Sequence, residues 1–154
     1  MAQYFFLILF CIALLITLIT DYLYLLIHRG VTLFLIPIFL LGAYFCLTSV
    51  TLLESLAGVL VGYGFLWLFK TIYTAFRSIE GIGQGDLELL ALIGSFLGPL
   101  GVFYTITLGS TLGTLVALVL IALKRADGQT ALPFGSFLVI GCFMYLALMT
   151  AGHL

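Results

Sequence analysis

Two aspartates stand out among the six acidic residues of this chain, which are Asp21, Glu54, Glu80, Asp86, Glu88 and Asp127. Asp21 has apolar residues on both sides, and Asp86 follows Gly83, Gln84 and Gly85. Two carboxylates about 3 Å apart cannot both ionise, so they hold one proton between them. The ionised member can take a proton from an attacking water while the protonated member donates a hydrogen bond to a peptide carbonyl oxygen. Such a pair predicts aspartic proteolysis.

Each aspartate alone also has a simpler interpretation. Asp21 can be an interfacial charge that reaches the headgroups, and Asp86 can be an N-terminal helix residue favoured by the helix dipole. Only 7% of the residues are charged, so two carboxylates at one depth together favour a shared site. Gly83 and Gly85 can support that site, because glycine allows positive φ and close approach of a backbone, although a flexible loop explains them equally.

The composition indicates a membrane protein. Hydrophobic residues make up 64% of the chain and its mean hydropathy is +1.37, whereas a soluble domain needs about a quarter of its residues charged. The net charge is −1 with no run of like charges, so we predict no nucleic-acid binding. Cys11, Cys46 and Cys142 lack the spacing of a zinc or redox pair and are predicted to be buried apolar residues. We predict no cofactor and no metal, and we assign no catalytic role to either histidine, His28 or His153.

The apolar segments predict an all-α, polytopic membrane protein of about six transmembrane helices, since a helix needs about 20 residues to cross a bilayer. Residues 1–154 then form a single transmembrane domain. The expected spans are Tyr4–Ile27, Val31–Val50, Ser55–Phe76, Leu87–Gly98, Leu100–Leu123 and Phe134–Ala151. The fourth is short, and Pro99 with its flanking glycines separates it from the fifth.

The basic residues predict the orientation of these spans. All five lie in or next to three alternate connections: Arg29 follows the first span, Lys70 is in the last turns of the third span with Arg77 just after it, and Lys124 and Arg125 follow the fifth. Because Lys and Arg are retained on the cytoplasmic side, these connections should face the cytoplasm and both termini should face away from it. Asp21 and Asp86 then lie at the same cytoplasmic depth. Omitting the short fourth span would break this partition.

The string E-G-I-G-Q-G-D-L-E-L-L-A-L-I-G-S-F-L-G, from Glu80 to Gly98, resembles the second aspartate motif of the type IV prepilin peptidases. It combines their G-x-G-D core with the apolar, glycine-containing helix that follows it. The resemblance implies that Asp86 is a catalytic aspartate. One departure is Glu88, where the family commonly has lysine.

The string D-Y-L-Y-L-L-I-H-R-G-V-T-L, from Asp21, is similar to the first aspartate motif of the same family, which implies that Asp21 is the second catalytic residue. The family usually has proline at His28 and often an acidic or amide residue at Arg29. Two further segments resemble the family, S-L-A-G-V-L-V-G-Y-G from Ser55 and L-P-F-G-S-F from Leu132.

The resemblance implies an aspartic endopeptidase of the inner, cytoplasmic membrane that removes a short basic leader from type IV prepilin-like or pseudopilin proteins. Larger members carry a cytosolic region with zinc-binding cysteine pairs, associated with N-methylation of the product. This sequence has no such region, so no methyltransferase activity and no zinc are expected. Glu80, Glu88 or Asp127 could attract the leader. The alternative function is a non-hydrolytic transporter or assembly subunit whose paired aspartates bind a proton or a cation.

Overall fold

The computed structural model describes residues 2–25, 27, 29–77, 83–124 and 133–152. They form five α-helices and no strand: α1 (Ala2–Tyr24), α2 (Arg29–Tyr44), α3 (Leu52–Arg77), α4 (Gln84–Ala122) and α5 (Phe134–Thr150). Helices α1, α3 and α4 are long and apolar enough to cross a membrane, and α2 and α5 are shorter apolar helices. The predicted all-α class is confirmed. The count of six spans stays a prediction.

Helix α4 is broken at Gly98, at the boundary between the fourth and fifth expected spans. Gly98 has φ 71° and ψ −175°, a conformation open essentially to glycine alone, and Pro99 starts the second arm. A Cβ added to Gly94 would lie 2.9 Å from Cγ2 of Val102. Residues eight apart in a straight helix are separated by about 12 Å. The chain therefore folds back at Gly98, giving a first arm (residues 84–97) and a second arm (residues 99–122).

Glycines bring the first arm against α3. A Cβ on Gly58 would overlap the carbonyl group of Gly94, and a Cβ on Gly62 would lie 2.5 Å from the carbonyl oxygen of Leu90. In lipid, small residues let helices approach closely enough for backbone contact. Ser55 adds a buried hydrogen bond from its hydroxyl to the Ser95 carbonyl oxygen. Residue numbers rise on α3 as they fall on the first arm, so the two are antiparallel.

The second arm packs in the same way against α5. Cβ atoms on Gly109 and Gly141 would each fall within 3 Å of backbone atoms of the opposite helix. At the end of the bundle far from Asp86, the rings of Phe10, Phe39 and Phe96 form a buried cluster with centroids 4.4 to 5.7 Å apart. Many large apolar side chains remain exposed on the outer faces of the helices, as lipid contact allows.

Several helix boundaries differ from the sequence-based expectation: α1 ends at Tyr24 rather than Ile27, and α4 begins at Gln84 rather than Leu87. Helix α2 ends at Tyr44 rather than Val50, because Cys46 adopts φ 55° and the N–H groups of Cys46 and Leu47 bond to the carbonyls of Ala43 and Gly42. This is a Schellman ending with cysteine in the position that glycine usually takes. Cys46 is consequently exposed, so the prediction that it is buried is wrong.

Helix α3 begins at Leu52, three residues before the expected start. The Thr51 hydroxyl accepts from the Glu54 N–H at 3.3 Å, and the Glu54 carboxylate accepts from the Thr51 N–H at 2.8 Å. This reciprocal pair is a capping box, and the T-L-L-E string could have located it from sequence.

Candidate active site

Asp21 lies in the last turn of α1, with only 5% of its surface exposed. Its Oδ2 accepts two hydrogen bonds from Ser136, one from the backbone N–H at 2.5 Å and one from the hydroxyl at 2.8 Å. Ser136 is the third residue of α5, so its N–H has no carbonyl partner within the helix. The start of α5 therefore supplies the donors that a buried carboxylate needs.

Asp86 is the third residue of α4 and is 7% exposed. Its Oδ2 would lie 3.3 Å from a Cβ on Gly83, the residue that precedes the helix. Ile27 packs against Gly85, the residue before Asp86, and against Gly135, which adjoins the Asp21 carboxylate, so the two aspartates come to the same region although 65 positions separate them in the sequence. The structure thus brings the two predicted aspartates to one end of the bundle, both buried. Their catalytic role stays a prediction.

Ile27 fills the space beside both aspartates. Its Cβ would lie 2.6 Å from a Cβ on Gly85, and its Cδ1 would lie 2.8 Å from a Cβ on Gly135. Asp21 Oδ2 would lie 3.0 Å from that same Gly135 atom. Ile27 therefore packs between the starts of α4 and α5.

The two predicted supporting glycines have different surroundings. Gly83 has φ −66°, and the described glycines with positive φ are Gly98 and Gly152, so neither Gly83 nor Gly85 adopts the positive φ that glycine allows. At Gly85 a side chain approaches rather than a backbone, because Ile27 leaves no room for a Cβ on that residue.

Arg29 and Glu88, the two charged departures from the family pattern, face one another. Arg29 Nε lies 2.8 Å from Glu88 Oε1, and the side chains are 61% and 3% exposed respectively. Among the described residues this is the one salt bridge. The suggestion that Glu88 attracts a basic leader conflicts with its burial and its existing cation. The other residues suggested for that role, Glu80 and Asp127, lie outside the described residues, as do His28 and His153.

Sequence reasoning missed Ser136 and Ile27. Ser136 lies in the L-P-F-G-S-F segment that resembles the family, but nothing in a single sequence links it to Asp21, which is 115 positions away. Ile27 has no chemical group to attract attention. Within the described ranges, no three His, Cys, Asp or Glu residues are grouped as metal ligands would be.

Comparison with known proteins identifies a protein family whose model matches this chain. The model of the type IV leader peptidase family matches residues 8–118, which include both aspartates. A prepilin leader peptidase/N-methyltransferase of Burkholderia pseudomallei is 37% identical over 94 residues, 61% of this chain and 30% of the relative. One from Pseudomonas putida is 39% identical over 94 residues, 59% and 32% of the two chains.

A third relative of the same name, from Aeromonas salmonicida, is 34% identical over 110 residues, which are 70% of this chain and 35% of the relative. The chain spans about a third of the length of the curated relatives it matches. No solved structure gives a significant match. Because the family model covers well over half of the chain, including the segments that carry Asp21 and Asp86, the chain belongs to the type IV leader peptidase family.

Proposed function

We propose that this chain is an intramembrane aspartic endopeptidase that cleaves the short basic leader from type IV prepilin-like or pseudopilin proteins at the cytoplasmic face of the inner membrane. The observation that carries the proposal is the burial of both Asp21 and Asp86 at one end of the helix bundle, in a chain that belongs to a leader peptidase family.

The two carboxylates supply the reaction with a general base and a general acid. The ionised member accepts a proton from water as the oxygen attacks the scissile carbonyl, and the protonated member donates to the carbonyl oxygen. Ser136 holds the Asp21 carboxylate in place, and Ile27 packs beside both aspartates. The pair shares its proton, so neither role is fixed to one residue.

The membrane arrangement that fits this activity has six crossings, with both termini outside the cytoplasm. The reversal at Gly98 supports it, because the two arms of α4 run in opposite directions and can each cross. In this arrangement Arg29, Lys70 and Lys124 all lie on the aspartate side. A basic leader is retained on that same side, next to the aspartates.

The function is tested with the full chain in proteoliposomes and a purified prepilin whose leader removal shifts its mobility on a gel. Asp21→Asn and Asp86→Asn should each abolish processing while leaving the melting temperature within a few degrees of wild type. Glu54→Gln is the matched control, since Glu54 is an exposed carboxylate near Gly98 at the opposite end of the first arm. It should process at the wild-type rate.

Full processing by either Asp→Asn variant would show that Asp21 and Asp86 are not the catalytic pair. If the wild-type chain cleaves no prepilin or pseudopilin while remaining folded, the proposed substrate class is wrong.

A further inference from the structure

We propose that Arg29 and Glu88 are positioning residues for the aspartate pair, acting as an ionic tether that sets the rotation of the first arm of α4 and so the direction of Asp86. The inference rests on the proposed function for its kinetic part, and its structural part is tested without substrate. The tether joins residues 59 positions apart, the first residue of α2 and the fifth residue of α4.

The geometry places the two acidic side chains of the arm on different sides. Successive residues of an α-helix are rotated by about 100°, so residues 86 and 88 point about 200° apart around the axis. Glu88 is bonded to Arg29 on α2, while Asp86 is buried at the end of the bundle that also holds Asp21. The bond to Arg29 therefore acts on the side of the arm nearly opposite to Asp86.

The burial of Glu88 favours the one rotation of the first arm in which its carboxylate contacts Arg29. The Glu88 carboxylate is almost entirely buried, and a buried carboxylate is tolerated only when it is paired. A rotation of the arm that moved Glu88 away from Arg29 would separate the buried carboxylate from its cation. Arg29 is largely exposed, so the outer nitrogens of its guanidinium can stay at the membrane surface while Nε donates to the acid.

A small rotation of the first arm about its own axis would displace the Asp86 carboxylate. A side-chain end about 5 to 6 Å from the helix axis moves by about 1 Å when the helix turns by about 10°. A displacement of about 1 Å at a reacting group can lower the rate by about 100-fold. Ile27 cannot absorb such a movement, because it already contacts Gly85 without space for a further atom.

The kinetic test compares Arg29→Glu, Glu88→Arg and the exchanged pair R29E/E88R in the full chain. Each single variant places like charges together and should lower kcat by at least about tenfold, with KM within about threefold of wild type. The exchanged pair restores the attraction and should recover kcat to within about threefold of wild type.

Lys124→Glu is the matched control, because it reverses another exposed basic residue on the same predicted side of the membrane and should leave kcat unchanged. Where Arg29→Glu fails to fold, Glu88→Gln replaces it, since an amide needs no cation. Its kcat should be about threefold to tenfold lower with KM unchanged.

Three results would overturn the tether: single variants with wild-type kcat, an exchanged pair as slow as the slower single variant, or an effect confined to KM. The last would mean that Glu88 or Arg29 binds the leader directly.

A second measurement needs no substrate and separates this inference from the proposed function. In a chain without its three native cysteines, Ile27→Cys places one thiol at a buried position packed against Gly85. A maleimide should alkylate that thiol at least about fivefold faster with Arg29→Glu and at the original rate with R29E/E88R, because loosening of the first arm exposes residue 27. If wild type cleaves no substrate, this assay alone decides. Equal rates in all three backgrounds would refute the tether.

Discussion

The hydroxyl of Ser136 is one of two donors to Asp21, and its removal gives the sharpest test of how the aspartate is held. Ser136→Ala deletes the 2.8 Å bond but keeps the backbone N–H bond at 2.5 Å. A hydrogen bond to a charged group contributes about 1.5 to 3 kcal/mol. Because the second donor keeps part of the orientation, we take about 1.5 to 2 kcal/mol for the loss at the transition state, equivalent to about 10-fold to 30-fold in kcat.

The assay is leader removal from a prepilin in proteoliposomes under single-turnover conditions, which isolates the chemical step. Ser95→Ala is the matched control, since Ser95 is equally buried and its hydroxyl bonds only to the Leu92 carbonyl of its own helix. It should retain the wild-type rate. A Ser136→Ala variant within twofold of wild type, or an equal loss in Ser95→Ala, would refute the reasoning that the hydroxyl orients Asp21.

Three further predictions address the fold and its orientation. Gly62→Ala should lower the free energy of unfolding in detergent by about 1 to 3 kcal/mol, because its Cβ would overlap the backbone of the first arm. Gly64→Ala has open space around it and should be neutral or stabilising in the same measurement. Gly98→Ala should cost about 1 to 3 kcal/mol in the same assay, because φ 71° with ψ −175° strains any side chain. Cys46 is exposed in the turn after α2, so it should react with a membrane-impermeant maleimide added from the non-cytoplasmic side of intact cells. A Lys124→Cys thiol, in a chain free of other cysteines, should react only after permeabilisation.

Each of these predictions has an outcome that would contradict it. Equal stability of the Gly62 and Gly64 variants would mean that α3 does not contact the first arm through its glycines. A Gly98→Ala chain as stable as wild type would argue against the reversal. Labelling of Cys46 only after permeabilisation would invert the proposed topology.

The amino-acid sequence by itself determined the class of the protein. A chain with this hydropathy can satisfy its backbone in lipid only through helices or a closed barrel, and long uninterrupted apolar segments select helices. The sequence also singled out Asp21 and Asp86, because a charge in so apolar a chain is rare and each lies in a recognisable motif. Apolar composition could not locate helix ends, since the residues after Tyr44 are as apolar as those before it.

Only the tertiary structure decided what surrounds the two aspartates. The Ser136 donors, the Ile27 wedge and the Arg29 to Glu88 pair each join segments that are far apart in sequence or carry no motif. The structure also turned two departures from a family pattern into one ion pair, which no reading of either position alone could do. The physical reason is that the carboxylates are buried, and a buried charge is defined by the groups that pack around it rather than by its neighbours along the chain.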